Sequence, residues 1–298
     1  MIAGSITSTD KAKQEIINGD CLKVMDSMDA GSVDVVCTSP PYNIGIKYNS
    51  YKDNLEYNDY LNWMTKVGRS IKRILKSNGS LFLNIGFTNT KPFLSLDITS
   101  ALRESFLLQN KITWAKAFVS DKPNNSFGHY KPINSNRYLN NLTEDIFHFT
   151  KDGNNKIDRL AIGVPYKWKD NLKSRSTGKM KPDLKCRGNI WFIPYETKNR
   201  NSKKEYYHPA SFPVLLPKRC IMLHGINSDM VVVDPFMGIG STLMACQKIG
   251  VRGIGIDIDK HYCDAAQIRL GGEWNVASYQ DEAGHYLDLQ NNPLANSA

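Results

Sequence analysis

The sequence predicts an α/β fold, a doubly wound and mainly parallel sheet that carries one basic insertion. Three observations predict it. Short apolar runs bounded by turn residues alternate with segments whose apolar residues recur every three or four positions, the pattern of strands joined by helical crossovers. Two of those runs end in loops of unusual composition, "TSPPYNIG" at 38–45 and "DPFMGIGST" at 234–242. The charge is uneven as well. Of a net +9, residues 151–207 carry 15 Lys+Arg against 6 Asp+Glu, which leaves 23 of each sign elsewhere.

In chain order, the candidate strands are 14–17, 33–37, 80–85, 107–115, 143–149, 230–233 and 252–257, seven in all. Residues 57–75 read as a helix, because Tyr60, Met64, Val67, Ile71 and Ile74 fall on one face. Segments 240–249 and 260–270 read similarly. From about 118 to 207 the alternation lapses into clustered Asn, Lys, Pro and Gly with isolated aromatics, and only 143–149 keeps a strand pattern. The expected division is a first half at 1–117, a basic insertion at 118–207 and a second half at 208–298.

Composition bounds the function. A chain of 298 residues with 41% hydrophobic content can bury a sizeable core. It holds no apolar run of eighteen residues and opens without a signal-peptide core, so a cytoplasmic protein with no membrane span is expected. Six cysteines without a CxxC pair read as free thiols, and neither disulfides nor a metal site is expected. The basic segment is either a solvated loop region or a polyanion-binding surface. On the second reading Lys173, Arg175, Lys179, Lys181, Lys185 and Arg187 are candidate phosphate contacts.

At 231–242 a buried strand ends at Asp234, a loop with Gly238 and Gly240 follows, and a helix starts near Ser241. Glycines there permit close backbone approach to a ligand at a helix N-terminus, although a tight turn alone needs them too. The loop is no phosphate-binding Walker site, since no Lys follows. The next strand ends in Asp257, where nucleoside-binding sheets hold a pair of ribose hydroxyls. A cofactor containing a nucleoside is therefore expected. At 38–45, Pro40 and Pro41 fix two φ angles and remove two amide hydrogens. The tip they stiffen presents acceptors, Ser39 Oγ and the Pro40 carbonyl, beside the flat ring of Tyr42. That set suits a planar ligand bearing an amino group, and a stiff turn with a packed tyrosine is the plainer alternative.

"TSPPYNIG" followed much later by "DPFMGIGST" resembles the DNA amino-methyltransferases that use S-adenosylmethionine, which methylate cytosine N4 or adenine N6. The catalytic tetrapeptide precedes the cofactor loop, with the basic segment between, as in the circularly permuted β group. "NGDC" at 18–21, "ITWAK" at 112–116, "HPASFP" at 208–213 and "GIGID" at 253–257 agree with it. The resemblance implies a seven-stranded Rossmann-like sheet in which the basic insertion recognises the target. It implies that Ser39, Pro40, Pro41 and Tyr42 hold the target base. Phe236, Gly238, Gly240 and Ser241 would lie against the cofactor, Asp257 would bind its ribose, Asp20 and Cys21 would contact its adenine, and Ser211 would help seat its methionine end. The substrate implied is a base flipped out of double-stranded DNA, and the setting leaves room for a cognate restriction endonuclease and a homodimer. Ser39 favours cytosine N4 over adenine N6, because in the family a Ser at this place tends to accompany cytosine enzymes and an Asp adenine enzymes. A nicotinamide-dependent oxidoreductase would share the glycine loop and Asp257 but leave Ser39–Tyr42 unexplained. A non-catalytic binding module would leave the cofactor pair unexplained. A protein glutamine methyltransferase would place the cofactor loop before the tetrapeptide.

Overall fold

The computed structural model describes residues 13–121, 127–128, 130, 132–168, 172, 178–180, 182–195 and 211–271. Lys173, Arg175 and Lys181 lie outside them. The strands are β1 Gln14–Asn18, β2 Val33–Thr38, β3 Leu75–Ile85, β4 Leu107–Ala115, β5 Ala117–Phe118, β6 Phe127–Gly128, β7 Thr143–Thr150, β8 Ile190–Phe192, β9 Val231–Asp234 and β10 Arg252–Asp257. The helices are α1 Cys21–Ser27, α2 Tyr57–Ile74, α3 Leu94–Leu102, α4 Leu215–His224, α5 Ser241–Ile249 and α6 Lys260–Leu270. None of them is long and apolar enough to cross a membrane.

The main sheet has the order β1-β10-β9-β2-β3-β7-β4-β8, and β5 and β6 form a separate pair. It therefore has eight strands rather than the seven expected. The extra one, β8, pairs with β4 in parallel through Ile190, Trp191 and Phe192. Three residues in a polar segment leave no readable period of two. Its anchor is tertiary: Trp191 is buried in the second core cluster, and the indole of Trp114 donates to the Ile193 carbonyl at 2.7 Å. All pairs from β1 to β3 are parallel, and β7 runs antiparallel between β3 and β4.

Two hydrophobic layers hold helices on opposite faces, because strand residues alternate between them. On one face, Val36, Leu81, Leu83, Phe147 and Phe149 meet Met25 of α1, the buried stripe Tyr60, Met64, Val67, Ile71 and Ile74 of α2, and Leu94, Ile98 and Leu102 of α3. On the other, Val35, Cys37, Phe82, Ile146 and Val232 meet Leu216, Cys220 and Ile221 of α4 and Ala245 and Cys246 of α5. Two buried polar groups lock the centre. Asp34 receives Lys76 Nζ at 2.8 Å and the Val231 amide at 2.9 Å. His148, stacked on Phe82, bonds Ser80 Oγ at 3.0 Å, and burial lowers its pKa to about 3.

Candidate active site

The C-terminal ends of the parallel strands meet along one edge, where α/β sheets bind ligands. A cavity of about 390 Å³ opens there. Its lining gathers Asp20, Cys21, Ser39, Pro40, Pro41, Tyr42, Ser211, Phe236, Gly238, Ser241 and Asp257 from segments far apart in sequence. Gly240 stands beside this lining, at the N-cap of α5. The described basic residues stand elsewhere. Lys179 and Lys185 are exposed, and Arg187 Nε is turned inward to the Ile162 carbonyl at 2.9 Å, so part of its guanidinium serves the fold.

The glycine loop is held from below. Asp234, fully buried, accepts from Thr38 Oγ1 at 2.6 Å, Thr242 Oγ1 at 2.6 Å and the Phe236 amide at 3.1 Å. Burial raises its pKa to about 6 against those three donors. Asp257 ties the next strand to the loop, accepting from the Gly238 amide at 2.8 Å and the Asp259 amide at 2.9 Å. Each carboxylate oxygen keeps a lone pair, so the group can brace the turn and still accept from a ligand. Gly240 takes φ 81°, and a Cβ there would come within 3.0 Å of Ala266 Cβ. Conformation and helix packing both require the glycine. Asp20 caps α1, accepting from the Lys23 amide at 3.1 Å. Burial pushes the Cys21 thiol up to about 12, so it stays protonated and is no nucleophile.

The segment after the proline loop folds back across the glycine-loop side of the cavity. Asn43 takes φ 55°. Buried Asp53 collects the amides of Asn43, Ile44 and Ile46 at 2.7, 3.0 and 3.1 Å. Ser50 Oγ reaches Asp259 at 2.9 Å. This brings Tyr48 and Tyr51 onto the cavity wall beside Trp63, whose ring lies 5.5 Å from that of Phe236. The Tyr51 hydroxyl is buried with no hydrogen-bond partner among the described residues.

On the other side, the proline loop is less open than its sequence implies. The Pro41 carbonyl accepts from Tyr60 Oη at 2.8 Å. Tyr42 Oη lies 3.1 Å from Ser39 Oγ, donates to Glu144 Oε2 at 3.0 Å and receives Asn84 Nδ2 at 3.0 Å. Asn84 also donates to Glu144 at 2.6 Å. Lys116 Nζ pairs with Glu144 Oε1 at 2.6 Å and lies over the rings of Trp114 and Tyr195 at 5.6 and 5.4 Å. Burial, then the charge of Glu144, holds the Tyr42 phenol well above its ordinary pKa. Gly86 makes room for this cluster, because a Cβ there would stand 3.1 Å from Glu144 and 3.2 Å from the Tyr42 ring. Asn84, Gly86, Lys116, Glu144 and Tyr195 are additions that sequence reasoning missed. The available signal was a pair of opposite charges, Lys116 and Glu144, at facing ends of two candidate strands.

Residues 33–268 match the family model described as DNA methylase, of the N6 and N4 amino type. The chain is 29% identical over 268 residues to the type II methyltransferase M.BglII of Bacillus subtilis, covering 87% of this chain and 69% of that one. It is 28% identical over 277 residues to the DNA adenine methyltransferase YhdJ of Escherichia coli K12, covering 91% and 84%. Its fold is similar to that of the solved PvuII DNA methyltransferase (cytosine-N4-specific), with a TM-score of 0.64 at 20% identity over 93% of this chain and 94% of that one. The chain belongs to the DNA methylase family, as an amino-methyltransferase with the permuted motif order of the β group.

Proposed function

We propose that this protein transfers a methyl group from S-adenosylmethionine to N4 of a cytosine flipped out of double-stranded DNA. The observation that carries the reading is the single cavity that joins Ser39–Tyr42 to Phe236–Gly238 and Asp257. The cofactor is S-adenosylmethionine, and the donor set fits it. Asp257 and Asp20 offer carboxylates to ribose hydroxyls and an adenine amino group, the buried Tyr51 hydroxyl has no partner among the described residues, and Phe236 and Trp63 supply aromatic walls. The volume lies in the range of small-molecule sites. Bound, the cofactor supplies an electrophilic methyl group on a sulfonium, a cation that aromatic faces favour.

An exocyclic amine is a weak nucleophile, since its lone pair is delocalised into the ring. Ser39 Oγ and the Pro40 carbonyl accept its two hydrogens and favour a pyramidal nitrogen whose lone pair is aimed at the methyl carbon. Such acceptors strengthen as positive charge grows on nitrogen, so they stabilise the transition state more than the ground state. Flipping costs a few kcal/mol, and stacking on the Tyr42 ring returns about 1–3 kcal/mol. Phosphate contacts supply the remainder, with Lys173, Arg175, Lys179, Lys181, Lys185 and Arg187 of the basic insertion as candidates. The chain is then read as 1–117 and 208–298 forming the catalytic and cofactor halves and 118–207 recognising the target, with a cognate restriction endonuclease or a second copy as further partners.

Adenine N6 is the second reading, favoured by the likeness to YhdJ; Ser39 favours cytosine. The protein is incubated with tritiated S-adenosylmethionine and mixed-sequence DNA, and the digested nucleosides are separated. Label in methylcytidine is expected, label in methyladenosine overturns the base, and no label overturns the function.

A further inference from the structure

One carboxylate on the target side of the cavity belongs to neither the proline loop nor the cofactor edge. Glu144, its side chain 11% exposed, is held by Lys116 through one oxygen at 2.6 Å. Through the other it accepts from Tyr42 Oη at 3.0 Å and Asn84 Nδ2 at 2.6 Å. An ionised carboxylate only accepts, so the single phenol hydrogen of Tyr42 points at Glu144. Ser39 Oγ lies 3.1 Å from the same phenol oxygen. That oxygen has no second hydrogen to give, so Ser39 donates to it. The two amide hydrogens of Asn84 are directed at the nearer Glu144 and Tyr42, at 2.6 and 3.0 Å, rather than at Ser39 Oγ at 3.5 Å. The lone pairs of Ser39 are left facing the cavity.

We propose that Glu144 is a positioning residue that makes Ser39 an acceptor toward the target amine and receives, through Ser39 and Tyr42, the proton the methylated amine must lose. The proposal deepens the function above and rests on it. A neutral serine cannot keep a second proton, so a serine at this place needs an outlet. The amine nitrogen forms a bond to the methyl carbon as the carbon–sulfur bond breaks, and the sulfur keeps that electron pair. The nitrogen, now cationic, gives a proton to Ser39 Oγ. Ser39 passes its own hydrogen to Tyr42 Oη, and Tyr42 passes its hydrogen to Glu144 Oε2. The products are a neutral methylamine, neutral hydroxyls and a protonated Glu144. The groups facing Glu144 are Tyr42 after β2, Asn84 on β3, Lys116 after β4 and Tyr195 after β8. The Lys116 ammonium, 2.6 Å from the other oxygen of Glu144, favours return of the proton to solvent.

The test uses Glu144→Gln, Tyr42→Phe and the double variant of the full chain, with tritiated S-adenosylmethionine and duplex DNA. For Glu144→Gln, kcat should fall about 100-fold or more, while KM for DNA and Kd for S-adenosylmethionine stay within about twofold. The double variant should be no slower than the slower single one, since both cut one chain. A wild-type rate in Glu144→Gln, a loss that falls on KM rather than kcat, or single effects that multiply in the double variant would overturn the proposal. If Glu144→Gln melts early, Tyr42→Phe carries the test alone: a rate like the wild type's overturns it and a comparable loss supports it. An inactive wild-type protein sinks the function itself and this inference with it, whereas active wild type beside equally active variants sinks only the inference.

Discussion

The two halves of the catalytic edge are built by different means. Around β1, β10, β9 and β2 the strands are parallel, and main chain braced by carboxylates meets the cavity beside the aromatic rings of Tyr48, Tyr51, Trp63 and Phe236. Asp257 holds Gly238, and Asp234 holds Phe236. Around β3, β7, β4 and β8 one strand, β7, runs against both its neighbours, and the cavity is furnished by long side chains from four separate segments, Asn84, Lys116, Glu144 and Tyr195. On the function proposed above, the first half meets a cofactor that is the same molecule at every turnover, so it can be shaped largely in main chain. A target base differs between enzymes, and a side-chain cluster can be exchanged without rebuilding the sheet.

If the division holds, damage to each half should register differently. The largest effect belongs to the target half. Ser39→Ala should lower methyl transfer by 100-fold or more, with affinity for S-adenosylmethionine by calorimetry near that of the wild type; a fully active variant would remove "TSPPY" from the chemistry. Asp257→Ala should do the reverse, weakening cofactor binding by roughly 1.5–3 kcal/mol through the lost charged acceptor. It also strips the Gly238 and Asp259 amides of their partner, so its melting temperature should drop, which a merely ligand-facing acid would not cause.

A smaller effect probes the interior of the second half, where His148 of β7 is buried against Ser80 of β3. Its folded pKa of about 3 lies below the ordinary value of 6.5. The stability it contributes is therefore complete above pH 6.5 and is lost as pH falls toward 3, at roughly 1.4 kcal/mol per pH unit. His148→Asn should flatten that part of the stability–pH curve in denaturant titrations, and equal slopes for variant and wild type would show the ring titrates normally. The smallest effect is expected from the insertion. Neutralising Lys179 and Lys185 should reduce the salt dependence of DNA affinity by about one unit of slope per lost phosphate contact, leaving cofactor affinity alone. An unchanged slope would move the DNA path elsewhere.

The same division explains what could be read in the sequence. The helix at 57–75 was legible because five apolar residues repeat on one face, and all five are buried. The seven longer strands were legible because each has a sustained apolar run. The glycine loop and Asp257 follow one another along the chain, so spacing alone associates them. Lys116 and Glu144 were not legible as a pair, since their contact depends on β4 and β7 being neighbours, with Trp114 opposite Glu144. Periodicity tells which face a residue takes, not which strand lies beside it. β8 failed for the same reason: what makes Ile190–Phe192 a strand is a partner, not a pattern.

The register of β1 has a consequence for how the molecule is made. Among the described residues β1 pairs only with β10, and the Asn18 side chain bonds the Asp257 carbonyl, a contact spanning 239 residues. β2, at the middle of the sheet, waits likewise for β9. On the ribosome, which emits roughly 5–20 residues per second, the proline loop is synthesised well before β9, the strand that pairs with β2. Until then β2 has one open edge of unpaired amides and carbonyls, the kind of surface that recruits other strands. The cavity cannot form before β9 and β10 have been made, so a chain truncated or stalled ahead of them is inert as a methylase, while its open sheet edge makes it prone to aggregate.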